Sequence, residues 1–282
     1  MIRGSCLCGE ITFTLTDAAG DMNHCHCSMC RKAHGSSFAT YLYLSPDKLR
    51  WTKGEDRLRS YQSAPDSTRH FCPGCGSTMP TVSDSFAFVP AGLLQDDCIS
   101  RPDAHIFASS KASWYSITDD LVQHVLFPPE SGFTTQYPQP SRKPLKPEAI
   151  GGSCLCDAVR FEADIQRSFM INCHCSRCRS SRSAAHATNL LMEGLGFSWT
   201  RGEEQIETYQ LPTANVFGTA FCKTCGSLLP RVSPGATRIP AGVLDSDPGS
   251  RPSVHFYVGS KAPWFKITDD LLQYEDVPPP QD

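Results

Sequence analysis

The sequence predicts a mainly β protein made of two tandem domains, each pinned by bound metal. Three observations lead there. Cys25-His26-Cys27-Ser28-Met29-Cys30 returns as Cys173-His174-Cys175-Ser176-Arg177-Cys178, and the motifs around it return in the same order. A repeat on the scale of half of 282 residues means two domains of ordinary size. Apolar residues alternate in short runs, and few stretches keep a helical period over three turns. Finally, the fifteen cysteines resolve into seven per copy, with Cys98 left over.

Taken in order, Met1-Ile2-Arg3-Gly4-Ser5 runs directly into Cys6 and Cys8, with no secretory leader. Glu10 to Leu15 alternates polar and apolar residues, as a half-buried strand does, and Ala158 to Ala163 repeats it. The cysteine triple follows, then short strand-like runs from Phe38 to Leu44 and around Trp51, Leu58 and Tyr61. Phe71-Cys72-Pro73-Gly74-Cys75-Gly76-Ser77 and Phe221-Cys222-Lys223-Thr224-Cys225-Gly226-Ser227 have the form of zinc-ribbon turns, the glycine relieving crowding beside the sulfurs. Both copies close on Ser-Lys-Ala-x-Trp (Trp114, Trp264, read as core) and Ile-Thr-Asp-Asp-Leu. The expected domains are residues 1–127 and 149–276. Residues 128–148, with six prolines, read as a linker, and residues 277–282 as a disordered tail.

The formal net charge of -3 gives no reason to expect a nucleic-acid or anionic-membrane partner. The most apolar run, Phe86 to Leu94, is too short to span a bilayer and contains Pro90. A cytoplasmic protein is the expectation, and a reducing cytosol leaves thiols free for metal instead of disulfides. Seven cysteines divide into four plus three. A structural zinc takes four protein ligands, and a catalytic one takes three with a position left open. A thiol entering such a position loses its proton and becomes a nucleophile, or, in reverse, a leaving group from carbon.

With these motifs in order, each half resembles the glutathione-dependent formaldehyde-activating enzymes, a family that also includes centromere protein V. The resemblance rests on Gly-Ser-Cys-x-Cys, Cys-His-Cys-Ser-x-Cys-Arg, Phe-Cys-x-x-Cys-Gly-Ser and the two closing motifs. It implies a β-tent fold in each half and four zinc ions per chain. Cys6, Cys8, Cys72 and Cys75, with Cys154, Cys156, Cys222 and Cys225, would hold structural zinc. Cys25, Cys27 and Cys30, with Cys173, Cys175 and Cys178, would hold catalytic zinc. The implied reaction is carbon–sulfur lyase chemistry on a thiol adduct such as S-hydroxymethylglutathione, with glutathione as co-substrate. The rival reading is a non-catalytic thiol-binding scaffold; against it, the chain carries no long basic or proline-rich N-terminal extension.

Other residues carry weaker expectations. His105 and His255 recur and are candidate acid/base groups. Arg31, Lys111, Arg179 and Lys261 are candidate contacts for the carboxylates of a thiol substrate. Asp119-Asp120 and Asp269-Asp270 are candidates for handling protons, although Thr-Asp-Asp more often makes a cap or turn. His24, His26, His105 or His174 is an alternative fourth metal ligand that would close the inner site, although His26 should point away from the metal its neighbours face. The halves differ around the triple. The second lacks counterparts of Lys32, Gly35, Phe38 and Arg69, whereas Asp245 and Pro263 stand where the first has Gln95 and Ser113. Diverged pockets are the expectation.

Overall fold

The computed structural model describes residues 1–17, 19–131, 149–164, 168–193 and 196–277. Most of the expected linker (132–148) and tail (278–282) lies outside them. Each half is mainly β, with one six-stranded sheet and two of three strands. In the first half the large sheet runs Val122–Gln123, Ala104–Ile106, Met22–Cys25, Ala39–Leu44, Ala87–Pro90, Thr81–Val82. In the second it runs Leu272–Tyr274, Pro252–Phe256, Ser168–Cys173, Ala187–Glu193, Ala236–Pro240, Arg231–Ser233. In the first half the alternation seen in the sequence is the burial pattern: Phe13 and Leu15 go to the core while Thr12 and Thr14 stay half-exposed. In the second it breaks, because Glu162 is buried along with Phe161 and Ala163.

Each cysteine triple opens a seven-residue helix, α1 (Ser28–His34) and α2 (Ser176–Arg182), which a search for helical period does not reveal. Two turns are too short to show one. The cap is the cysteine itself: Cys27 Sγ accepts from the Cys30 N–H at 3.3 Å, and Cys175 Sγ from Cys178 at 3.4 Å. The helices stop at left-handed residues, Gly35 and Ser183.

The halves interlock. The core around Phe13, Phe38 and Leu42 includes Ala262 and Trp264 of the second half. The core around Phe161, Met170 and Leu190 includes Ala112 and Trp114 of the first. Each Lys-Ala-x-Trp segment thus packs into the opposite half, with both tryptophans 3% exposed. α1 lies against the turn Ala241–Val243 and α2 against Ala91–Leu93. The approach requires glycine: a Cβ on Gly92 would sit 2.1 Å from Ala184 N, and one on Gly242 2.2 Å from Arg31 O. A buried ion pair crosses this surface: Lys32 Nζ lies 2.6 Å from Asp245, both side chains about 95% buried, and also donates to the Ser153 carbonyl at 2.7 Å. The two departures from strict repetition at Lys32 and Asp245 are therefore partners. Their counterparts Ser180 and Gln95 are uncharged and bond neutral groups of the first half, Ser77 and Ser5.

Aromatic and imidazole rings fill the middle of the interface. Phe38 and its counterpart His186 meet at 5.4 Å, edge to face. Burial pushes the His186 imidazole down to about 3, so the ring is neutral in the fold at any working pH. An unfolded chain takes up that proton below its ordinary value near 6.5. His186 therefore stabilises the fold less and less as pH drops from 6.5 towards 3, by about 1.4 kcal/mol per pH unit. His186→Phe is expected to leave the melting temperature at pH 8 nearly unchanged and to flatten its decline between pH 6 and 4. A decline as steep as in the parent would refute this.

Candidate metal centres and the cavity beside one of them

The outer cysteines come from the first turn of each half and from the turn after the strands Ser67–Phe71 and Gly218–Cys222. Local hydrogen bonds hold these turns: Gly76 N–H to the Cys72 carbonyl at 2.9 Å, and Leu7 N–H to Ser77 Oγ at 3.1 Å. They gather Cys6, Cys8, Cys72 and Cys75, with all four sulfurs within 4.8 Å of one another, and Cys154, Cys156, Cys222 and Cys225 likewise. Cys6 and Cys8 sulfurs lie 3.4 Å apart and Cys8 and Cys72 3.6 Å; the matching distances in the second half are 3.5 and 3.6 Å. A disulfide would need about 2.05 Å, and all fifteen cysteines are free thiols. Four sulfurs around one zinc at about 2.3 Å stand roughly 3.8 Å apart, so these sets fit such an ion. Tyr209 of the second half packs beside the first set and Tyr61 of the first half beside the second.

The inner triples are built by a strand end and a helix start. Cys25 ends its strand, Cys27 caps α1 and Cys30 lies in the first turn, so three sulfurs converge within 4.8 Å; Cys173, Cys175 and Cys178 do the same. Among the described residues no fourth histidine, cysteine or carboxylate joins either triple. Three thiols at this spacing cannot all ionise without a cation among them, which is the chemistry of a metal site.

The histidines face elsewhere. His26 Nε2 shares a 2.8 Å hydrogen bond with His105 Nδ1, and His105 Nε2 meets Asp119 at 2.9 Å. His174, His255 and Asp269 repeat the chain at 2.8 and 3.0 Å. Asp119 and Asp269 also accept the N–H of Leu121 and Leu271, the capping role expected of them. Burial pushes His26 down to about 3 and His174 to about 2, so both rings are neutral. His105 and His255 have both ring nitrogens engaged inside the protein.

Of the cations expected to meet a substrate, Arg31 donates to the carbonyls of His26 and Ser110, Arg179 to that of Ser260, and Lys261 to that of Phe265. These three tie turns together; Lys111 is exposed. Arg31 and Arg179 also feel the sulfurs of their own triples, and a second cation approaches each triple. In the first half Arg69, half-buried, donates to Cys30 Sγ at 3.4 Å and to Tyr41 Oη at 3.3 Å. In the second, Thr219 replaces Arg69, and the half-buried cation is Arg182 on α2, where the first half has His34. Arg182 donates to Asn189 Oδ1 at 2.8 Å, and its Nε has no partner. Burial lowers it to about 10, leaving it charged at neutral pH. Arg69 and Arg182 thus bring an arginine to each triple from a different element in each half. Setting the two copies against each other by strand register is the signal that would have found Arg182.

The surroundings differ more. Met29, Phe107, Leu126, Phe127 and Leu155 pack over the first triple, whose cysteines are 4–6% exposed. Arg177 stands at the position of Met29, and Cys175 and Cys178 are half-buried. A cavity of about 580 Å³ opens on the second triple, walled by apolar residues such as Phe217, Leu229 and Phe256 and reached by Arg177, Arg182, Arg231 and Arg238.

Fold and site together define a class: duplicated β proteins, each half organised around a four-cysteine and a three-cysteine cluster of metal-binding form. The sequence profile of the glutathione-dependent formaldehyde-activating enzymes matches residues 1–110 and 149–260, and the chain belongs to that family. It is 29% identical, over 128 residues, to a Halomonas elongata protein provisionally named a glutathione-dependent formaldehyde-activating enzyme, a span of 42% of this chain and 81% of that one. A crystal structure of a Rhodobacter sphaeroides protein is 27% identical and aligns over 36% of this chain and 97% of its own, with a TM-score of 0.30.

Proposed function

We propose that the protein is a zinc-dependent carbon–sulfur lyase acting on a thiol adduct of an aldehyde, with glutathione as the thiol. The observation that carries this is a triple of cysteine sulfurs, without a fourth protein ligand among the described residues, opening on a cavity. A bound zinc would supply a soft Lewis acid that favours the thiolate form of a substrate thiol. Cys173, Cys175 and Cys178 would hold it, as would Cys25, Cys27 and Cys30 in the first half. The outer sets would hold two structural ions, four per chain in all.

The remaining chemistry falls to the chain. In the forward direction the carbon–sulfur bond of a hemithioacetal breaks, its hydroxyl gives up a proton, and free thiol and aldehyde leave; in reverse the thiol adds to the carbonyl carbon. The apolar walls keep water from competing, and Arg182 places a fixed positive charge beside the developing sulfur anion. His105 and His255 are positioning residues in this reading: the Asp–His–His chains fix the imidazoles that separate the first two cysteines of each triple, and so set the direction of the sulfurs. Among the described residues no helix is long and apolar enough to cross a membrane; the cytoplasm, where thiols stay reduced, is the proposed place of work.

The test is exchange between glutathione, formaldehyde and their adduct, followed by magnetisation transfer against the fast spontaneous background. Acceleration that disappears on chelation and returns with zinc supports the lyase. Thiol binding without acceleration would leave a carrier or scaffold. Cys222→Ala is expected to remove one zinc per chain and about 4 kcal/mol of stability, read by metal analysis and thermal melting; unchanged metal content would exclude the outer set as a site.

A further inference from the structure

Four positions where the second half departs from the first around its triple gain an arginine, against one arginine lost where Thr219 stands for Arg69 on the same wall. Arg177 stands for Met29, Arg182 for His34, Arg231 for Thr81 and Arg238 for Phe88, and all four line the one cavity. Arg231 and Arg238 are directly opposed across neighbouring strands, as Thr81 and Phe88 are in the first half. Like charges so placed repel, which a fold tolerates at a cost unless an anion sits between them. Arg231 donates only to neutral acceptors, the Val216 carbonyl and Gln210 Oε1. Among the described residues none of the four is paired with a carboxylate. Asp276 is the single acid in the lining. The buried Arg182 Nε, without a partner, lies at the sulfur end of the same space.

We propose that the second half alone receives substrate, and that these four arginines make its cavity selective for a thiol adduct carrying two or more acidic groups. Arg182 and Arg177 flank the sulfur cluster, and the Arg231–Arg238 pair binds acids at the far end. The first triple, covered by Met29, Phe107 and Phe127, takes no substrate. This rests on the lyase reading for the reaction and adds the half, the residues and the charge of the ligand.

The test separates the two. S-Methylglutathione, which has two carboxylates and no free thiol, and S-methylcysteamine, which has none, are titrated into the zinc-loaded protein by calorimetry. The parent is expected to prefer the first by at least tenfold. R231Q/R238Q, altered at a sheet edge and away from the cysteines, is expected to weaken S-methylglutathione about tenfold or more and leave S-methylcysteamine unchanged. A second measurement reads the half: with cadmium-113 in place of zinc, glutathione is expected to shift one of the two three-sulfur signals, the one missing in Cys175→Ser. Equal binding of both probes, indifference to R231Q/R238Q, or a shift of the signal missing in Cys27→Ser would overturn the proposal. Absence of turnover with selective binding intact would instead remove the lyase and keep the acid-binding cavity.

Discussion

Cys175→Ser is expected to stop turnover, while Cys27→Ser keeps most of it. The two cysteines are equivalent in the repeat, each capping its helix and each in a triple of sulfurs, so equal chemistry would predict equal loss. The difference lies in access. Removing a metal ligand beside the cavity takes away the centre at which sulfur would react, and a loss of at least a hundredfold in kcat/KM is expected, since disturbing groups behind a metal ligand already costs about 10–100-fold. At Cys27 the sulfur is under apolar side chains, and the expected change is in melting temperature, with kcat/KM within about threefold of the parent. Steady-state exchange rates on both variants decide it, and the reverse pattern would assign the work to the first half.

The second large effect is expected at Lys32. Its ammonium and Asp245 are both nearly excluded from water, and the lysine is further held by Ser153. Lys32→Met leaves the Asp245 carboxylate buried without its cation, and stability is expected to fall by about 3–5 kcal/mol. For a chain of this size that is roughly 10 °C in melting temperature. Asp245→Leu alone should be comparably damaging. The double variant should recover most of the loss, because a buried pair exchanged for apolar groups of similar volume is often near neutral. A double variant as unstable as the sum of the singles would mean that the two residues act independently.

Much of this architecture was legible in the chain. Repetition and alternation gave the duplicated β fold, because period two survives in strands as short as Thr12–Leu15. Cysteine spacing led to two clusters per half, because a strand end, a cap and a first helical turn leave little freedom for three sulfurs. The helices were not legible, since seven residues hold no period and their cap is a cysteine. Nor were the partners of the cations: Arg31, Arg179 and Lys261 have the chemistry to hold carboxylates, yet the fold turns them onto backbone carbonyls. The arginines that do reach the cavity come from places where one repeat departs from the other. The partner of His105 was not legible either: it bonds His26 through a long-range contact made by parallel strands far apart in sequence.

The interlocking of the halves has a further consequence. Two identical chains locked in this way would be obliged to carry every side chain twice, once on each side of the axis, so a lysine on one face would meet an aspartate on both. Joining the copies in a single polypeptide lifts that obligation. One contact can then be charged and its twin neutral, and one sulfur centre roofed and its twin unroofed.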